Sequence, residues 1–290
     1  MTTAMAAVTP PPSHALAGRH IVVTRPQQQS ATLSAAIRAA GGTPVVFPLL
    51  VIHDVDATQR RTLQAVLQRL AASAFELAVF VSPNAIARTF AELQALGLAW
   101  PDQLRVAVVG KGSEHALAER GVSRVIAPCE RYDSEGMLAL ADLQSAQVQG
   151  QRAIIFRGDG GRELIAQTLC ERGATVEYVT CYRRSAPQGA AADTTILQQL
   201  WQQGQLDAIT LTSSEGLRHL HALLDAPGRA RLATTPLFVP HERIAAEARQ
   251  LGLSQIIATG AGDAGLLAAL IEYFVAAAAL RPANLEMRHA

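Results

Sequence analysis

The sequence predicts an α/β protein of two similar lobes, each a parallel sheet flanked by helices. Three observations carry this. An internal repeat recurs at a nearly fixed offset. Short β-branched runs alternate with helix-period stretches. The composition supplies enough apolar surface for more than one core. The chain has 290 residues, and at roughly 100–200 residues per domain that suggests about two domains. Hydrophobic residues make up 49% and charged residues 17%, against a usual charged share of about 25%.

The repeat is read directly from the letters. GRHIVVTRPQQQSATLSAAIRAAGG, from Gly18, matches GQRAIIFRGDGGRELIAQTLCERGA, from Gly150. Gly18 and Gly150, Arg25 and Arg157, and Gly41 and Gly173 are each 132 positions apart. ELAVFVSPNAI, from Glu76, matches DAITLTSSEGL, from Asp207, and sets Ser82 against Ser213 at an offset of 131. GKGSEHALAERGVSRVIA, from Gly110, matches HERIAAEARQLGLSQIIA, from His241, and sets Gly121 against Gly252 at the same 131. Any α/β protein repeats strand–turn–helix units, but a shared offset points to duplication.

In chain order, the β-branched runs Ile21–Thr24, Val79–Val81, Val106–Val109, Ala153–Phe156, Ala208–Leu211 and Leu237–Val239 read as strands. Helices open after them with cap-type residues such as Ser30, Ser82, Ser113 and Ser213. Gly41, Gly121, Gly173 and Gly252 fall where helices should stop. Strands this apolar, alternating with helices, imply parallel sheets covered on both faces. The apolar stretch Ala264–Leu280 is shorter than the roughly 20 residues of a spanning helix and carries Glu272 in its middle, so it reads as a buried C-terminal helix. Residues 1–18, rich in Pro, Ala and Thr, read as a flexible leader without a signal-peptide pattern, and 281–290 as a flexible tail.

Charge and cysteine exclude several classes of function. Lys+Arg is 25 and Asp+Glu is 24, a formal net charge of +1. No broad field is available to hold nucleic acid or an anionic membrane. Aromatics at 4% weaken base stacking further. Lys111 is the single lysine. The three cysteines, Cys129, Cys170 and Cys181, show no CxxC spacing, so neither a disulfide framework nor a zinc site is indicated. No GxxxxGK[ST], HExxH or GxSxG motif occurs. The loops at Gly110 and Gly158 lack full GxGxxG spacing, with His115 and Glu163 at the sixth position.

In open parallel sheets ligands bind beyond the C-terminal ends of the strands. The loops there are Thr24–Pro26, Val81–Asn84, Gly110–Ser113, Arg157–Arg162, Thr212–Ser214 and Pro240–Arg243. Serines, glycines and single cations dominate, a chemistry suited to several carboxylates or phosphates at helix N-termini. Singly, Ser82, Ser113 and Ser213 read as helix caps. Lys111 reads as a solvated cation, and Arg25 and Arg157 as turn braces. Glu163 reads as serving the first turn of its helix.

Taken in order, VVTRP with its following helix and GG, then PLL, FVSPNAI, AVVGKGSEHALAERG, FRGDGGRELIAQTLCERGATVEYVTCYRR, ITLTSSEGL and VPHERIAAEARQLG resemble the uroporphyrinogen-III synthase family, from Ile21 to about Phe274. The resemblance implies a two-stranded connector, an interleaved chain and substrate in the cleft between the lobes. The first lobe would take 19–50 and 184–280, the second 51–183. It implies a cytoplasmic, monomeric lyase that closes hydroxymethylbilane into a macrocycle, inverts ring D and loses water. It implies no metal or organic cofactor, no nucleic acid or membrane partner, and transient contact with hydroxymethylbilane synthase. Tyr182 then matches the connector tyrosine and is the candidate catalytic residue. Ser82, Ser113 and Ser213 match hydroxyl-bearing positions. Arg25, Lys111, Arg157, His241 and Arg243 are the further candidates for substrate binding. One position departs: Ile244 stands where the family often carries threonine, leaving His241 or Arg243 to replace that contact. The alternative is a non-enzymatic two-lobed protein that binds a small ligand or regulates.

Overall fold

Runs of β-branched and apolar residues pair side by side wherever helices can cover both faces of the resulting sheet. The computed structural model describes residues 14–161, 163–189 and 193–279. Among them the strands are β1 (His20–Val23), β2 (Thr43–Val46), β3 (Val51–His53), β4 (Leu77–Phe80), β5 (Arg105–Val108), β6 (Val125–Ile126), β7 (Arg152–Gly158), β8 (Thr175–Ser185), β9 (Leu206–Thr210), β10 (Leu237–Val239) and β11 (Ile256–Ala258). They form two sheets, of order β11-β10-β9-β1-β2 and β3-β8-β7-β4-β5-β6. The neighbours from β11 to β2, and from β8 to β6, run parallel.

The chain divides into two compact units. One runs up to Val51 and resumes at Ala186; the other is Ile52–Ser185. The repeat offset carries β1 onto β7, β2 onto the start of β8, β4 onto β9, β5 onto β10 and β6 onto β11. Each sheet therefore has the same internal order, built from one half of each repeat. The connector positions His53 and Ser185, themselves repeat equivalents, join side chains at 2.8 Å.

Strand residues alternate between two cores in each unit. In Ile52–Ser185, Ala78, Phe80, Ile154 and Phe156 face one cluster, while Leu77, Val79, Ala153 and Ile155 face the other. Phe80 and Phe156 stack with ring centroids 4.7 Å apart, worth about 0.5–1.5 kcal/mol beyond area burial. In the first unit Val22 and Ile209 face one cluster, and Ile21, Val23 and Ala208 the other.

The six strands read from the sequence are all present; Leu237–Val239 keeps its bounds, and the other five differ by one or two residues at their ends. Thr24, Val81, Val109 and Leu211 fall just past the strand ends. The strands β2, β3, β6, β8 and β11 escaped that reading. Four of them are sheet edges of two to four residues, and β2 carries Pro44, which an edge tolerates. β8 mixes buried and exposed positions along its length. The predicted stops Gly41, Gly121, Gly173 and Gly252 all have φ between 79° and 89°, the left-handed conformation that ends a helix at little cost to glycine.

Four expectations change. Ser30 makes no capping bond; its hydroxyl donates to the Arg25 and Pro26 carbonyls, because a 3₁₀ turn at Gln27–Gln29 precedes the helix. Ser113 is no cap, because extended Gly110 starts that helix at Lys111. Leu16, placed in the leader on sequence, is fully buried with Ile21 and Phe274. Helix Gly262–Ala279 buries only 17% of its residues: Leu266, Leu270 and Phe274 pack inward, while Val275 stays 46% exposed. Its length and apolar content would suffice to cross a membrane. Arg162, Leu280 and 281–290 lie outside the described residues.

Candidate active site

At the C-terminal ends of β4, β5, β7 and β8 the second unit gathers hydroxyls, a cation and two helix N-termini. Ser82 follows β4 in an extended conformation and accepts the Ala85 N–H at 3.2 Å. Pro83 supplies the fixed φ that suits a first helical residue. The Ser82 hydroxyl lies 3.0 Å from the Tyr182 phenol. Tyr182 is 4% exposed. Burial pushes its phenol above the ordinary value, and the Ser82 hydrogen bond partly opposes this. The phenol therefore keeps its proton through the physiological range.

Tyr182 reaches Ser82 because β8 carries a bulge. Arg157 is opposite Thr180, but Gly158 is opposite Tyr182, so Cys181 is the extra residue. Val179, Cys181 and Tyr182 all join one core cluster. An unbulged strand of period two would send Tyr182 to the opposite face from Cys181.

Lys111 opens the helix Lys111–Ala118, whose N-cap Gly110 provides no side chain to cap it. The Lys111 ammonium sits 4.9 Å from the Tyr132 ring centroid, a contact that leaves its remaining N–H groups able to donate. Ser113 is 3% exposed in the first turn of that helix.

Arg157 has partners within its own unit. It bonds Glu163 at 3.1 Å and lies 4.4 Å over the Tyr178 ring. Burial and then the Glu163 carboxylate push the Tyr178 phenol up to about 12. Glu163 is held below the usual carboxylate range by Tyr178 and Arg157. Glu163 makes no capping bond at its helix; its carboxylate serves Arg157 and Tyr178 instead. Sequence spacing gave no sign of Tyr178 or Tyr132. Tyr178 meets Arg157 only through the pairing of β7 with β8, and Tyr132 meets Lys111 only through a loop.

The first unit presents the repeat equivalents. Ser213 caps its helix, accepting the Gly216 N–H at 2.9 Å. Arg25 pairs with Asp263 in the first turn of helix Gly262–Ala279. His241 stands at the N-cap of helix Glu242–Gln250 without a side-chain capping bond. Arg243 is exposed in the first turn, and Ile244 is fully buried among Leu217, Leu220 and Val239. A cavity of about 480 Å³ beside Phe90, Trp100 and Arg120 shares none of these residues.

The profile of the family described as Uroporphyrinogen-III synthase HemD matches residues 31–268. The chain belongs to the uroporphyrinogen-III synthase family. It is 34% identical to the uroporphyrinogen-III synthase of Salmonella typhimurium over 253 residues, 86% of this chain and 99% of that one. It is 32% identical to the Escherichia coli uroporphyrinogen-III synthase over 253 residues, covering 86% of this chain and 99% of that one. Among solved structures, a mutant uroporphyrinogen III synthase from Thermus thermophilus aligns at a TM-score of 0.59 and 17% identity, covering 91% of this chain and all of that one. The Helicobacter pylori uroporphyrinogen-III synthetase aligns at 0.51 and 14%, with 91% and 100% coverage. At those identities the structures establish the shared fold. The family membership rests on the sequence matches.

Proposed function

We propose that this chain closes the linear tetrapyrrole hydroxymethylbilane to uroporphyrinogen III, inverting the last pyrrole ring and releasing water. The observation that supports this most directly is the Ser82–Tyr182 hydroxyl pair at 3.0 Å, set among helix N-termini. The C–O bond of the hydroxymethyl group breaks, and its electron pair and the Tyr182 proton leave together as water. The methylene carbon then bonds to the substituted carbon of ring D, giving a spiro intermediate; the older methylene bond to that carbon breaks, that methylene bonds to the free α-carbon of ring D, and the proton released there returns to the phenolate. A neutral phenol is suited to the first proton transfer. Ser82 holds the phenol oxygen in place.

Uncatalysed closure gives the wrong isomer, so most of the catalysis is orientation of a flexible polycarboxylate. A net charge of +1 offers no long-range attraction. Grip must come locally, from Lys111, Arg243, the Ser113 and Ser213 hydroxyls and backbone N–H groups of the first helical turns. His241 is a further donor. Arg25 and Arg157 brace the loops through Asp263 and Glu163. On this reading the protein is a cytoplasmic monomer in heme, siroheme or cobalamin formation, supplied with substrate by hydroxymethylbilane synthase.

The deciding experiment supplies hydroxymethylbilane and separates the product isomers by chromatography. The type III isomer is expected. Type I alone, formed at the uncatalysed rate, overturns the proposal.

A further inference from the structure

We infer that Gly158 and Asp159 are positioning residues for Tyr182: the first gives the phenol ring its space, the second locks the bulge that aims it. The inference rests on Tyr182 being the proton donor.

Gly158 ends a strand whose preceding residues Ala153–Phe156 are wholly buried. A glycine weakens a strand, so its presence needs a local reason. The loop glycines Gly160 and Gly161 adopt φ of 66° and 122°, whereas Gly158 is outside the left-handed region. Its backbone would therefore accept alanine. The ring excludes it. A Cβ on Gly158 would meet the Tyr182 ring at 2.7 and 2.8 Å and the phenol oxygen at 3.1 Å. Ring carbons normally keep about 3.5 Å or more from another carbon. The phenol must then move by most of an ångström, away from its 3.0 Å contact with Ser82. The ring is the far end of a side chain, so it can give way while the strand stays in place.

Asp159 holds the backbone just past the bulge, on its C-terminal side. Its N–H donates to the Tyr182 carbonyl at 3.0 Å. Its carboxylate accepts the Arg184 N–H at 2.9 Å, and its carbonyl accepts from the Arg184 guanidinium at 3.1 Å. Residues 182 and 184 are thus tied to one residue across the strand. The bulge cannot slip back to simple alternation while this clamp is closed. Bulges beside active sites commonly re-aim a side chain in this way.

The test measures kcat, KM and melting temperature in single variants and in a Tyr182→Phe background. Gly158→Ala should lower kcat by about 10- to 100-fold with KM within about threefold, since a misplacement near 1 Å can cost on the order of 100-fold. In the Tyr182→Phe background the same change should lower kcat by less than about twofold. Asp159→Ala should lower kcat severalfold, and Asp159→Asn should restore most of it, because its amide oxygen still accepts the Arg184 N–H. The Asp159 pair decides the matter if Gly158→Ala does not fold. An equal loss from Gly158→Ala or Asp159→Ala in both backgrounds overturns the inference, as does a wild-type kcat in both single variants. If Tyr182→Phe is itself unimpaired, the catalytic reading of Tyr182 falls and the inference with it. If Tyr182→Phe is slow while the positioning variants are not, the inference alone falls.

Discussion

Two units share one sheet order but not one chemistry. Ser82 and Ser213 occupy equivalent positions, and each caps the helix that follows its strand. Beside Ser82 stands Tyr182; its repeat equivalent, 132 positions earlier, is Leu50. Gly158, under the phenol ring, has Pro26 as its equivalent. The second unit therefore holds a buried phenol and the space for it, while the first keeps the hydroxyl without the phenol. The shared scaffold supplies helix N-termini twice, and each can receive a carboxylate. On the proposed mechanism, proton transfer needs a donor in one place only.

The comparison is sharpest at the phenol. Tyr182→Phe should lower kcat by about 10²–10⁴-fold, the usual span for loss of a general acid, with the fold intact by circular dichroism. Turnover at the wild-type rate would reduce Tyr182 to packing and make the units equivalent. Lys111→Ala removes the cation that the equivalent loop, beginning at His241, offers through Arg243. Losing a charged hydrogen bond costs about 1.5–3 kcal/mol, so KM should rise about 10- to 100-fold while kcat holds. An unchanged KM takes Lys111 out of the site. Ser213→Ala should cost about 1 kcal/mol in urea unfolding through the lost cap, and should raise KM less than Lys111→Ala does. A kcat loss as large as that of Tyr182→Phe would move the donor to the first unit.

The smallest effect is in acid. Glu76 is held below its ordinary value by Arg152, Glu163 by Tyr178 and Arg157, and Glu177 by Arg69. All three lie in Ile52–Ser185. Depressed carboxylates stabilise the folded state above their unfolded value, near 4.5, and lose that contribution as pH falls through the lower folded values. Asp193 and Glu247 act alike in the first unit. Hydrogen exchange followed from pH 6 to pH 3 should lose protection in Ile52–Ser185 first. Simultaneous loss in both units would show the exposed pairs to be negligible.

Much of this was legible because burial writes itself into composition. Leu77–Phe80 is buried on both faces and reads as a continuous apolar run. The αL glycines Gly41, Gly173 and Gly252 read as stops because other residues are strained there. Edge strands left no such mark, since β6 and β11 need bury little. Ser82 and Tyr182 were singled out separately, one as a cap-type residue after a strand and the other through family resemblance. Nothing in their spacing of 100 residues announced the bond between them.

The sequence by itself determined the repeat, the parallel strands, the helix stops and the residue types lining the loops, because these depend on local propensity and burial period. The tertiary structure decided which half of each repeat completes which sheet, because strand pairing joins residues far apart in the chain. It also committed Arg25 and Arg157 to carboxylates. Above all it turned Tyr182 onto the face of Ser82, because a one-residue shift between β7 and β8 reverses the direction in which a side chain points.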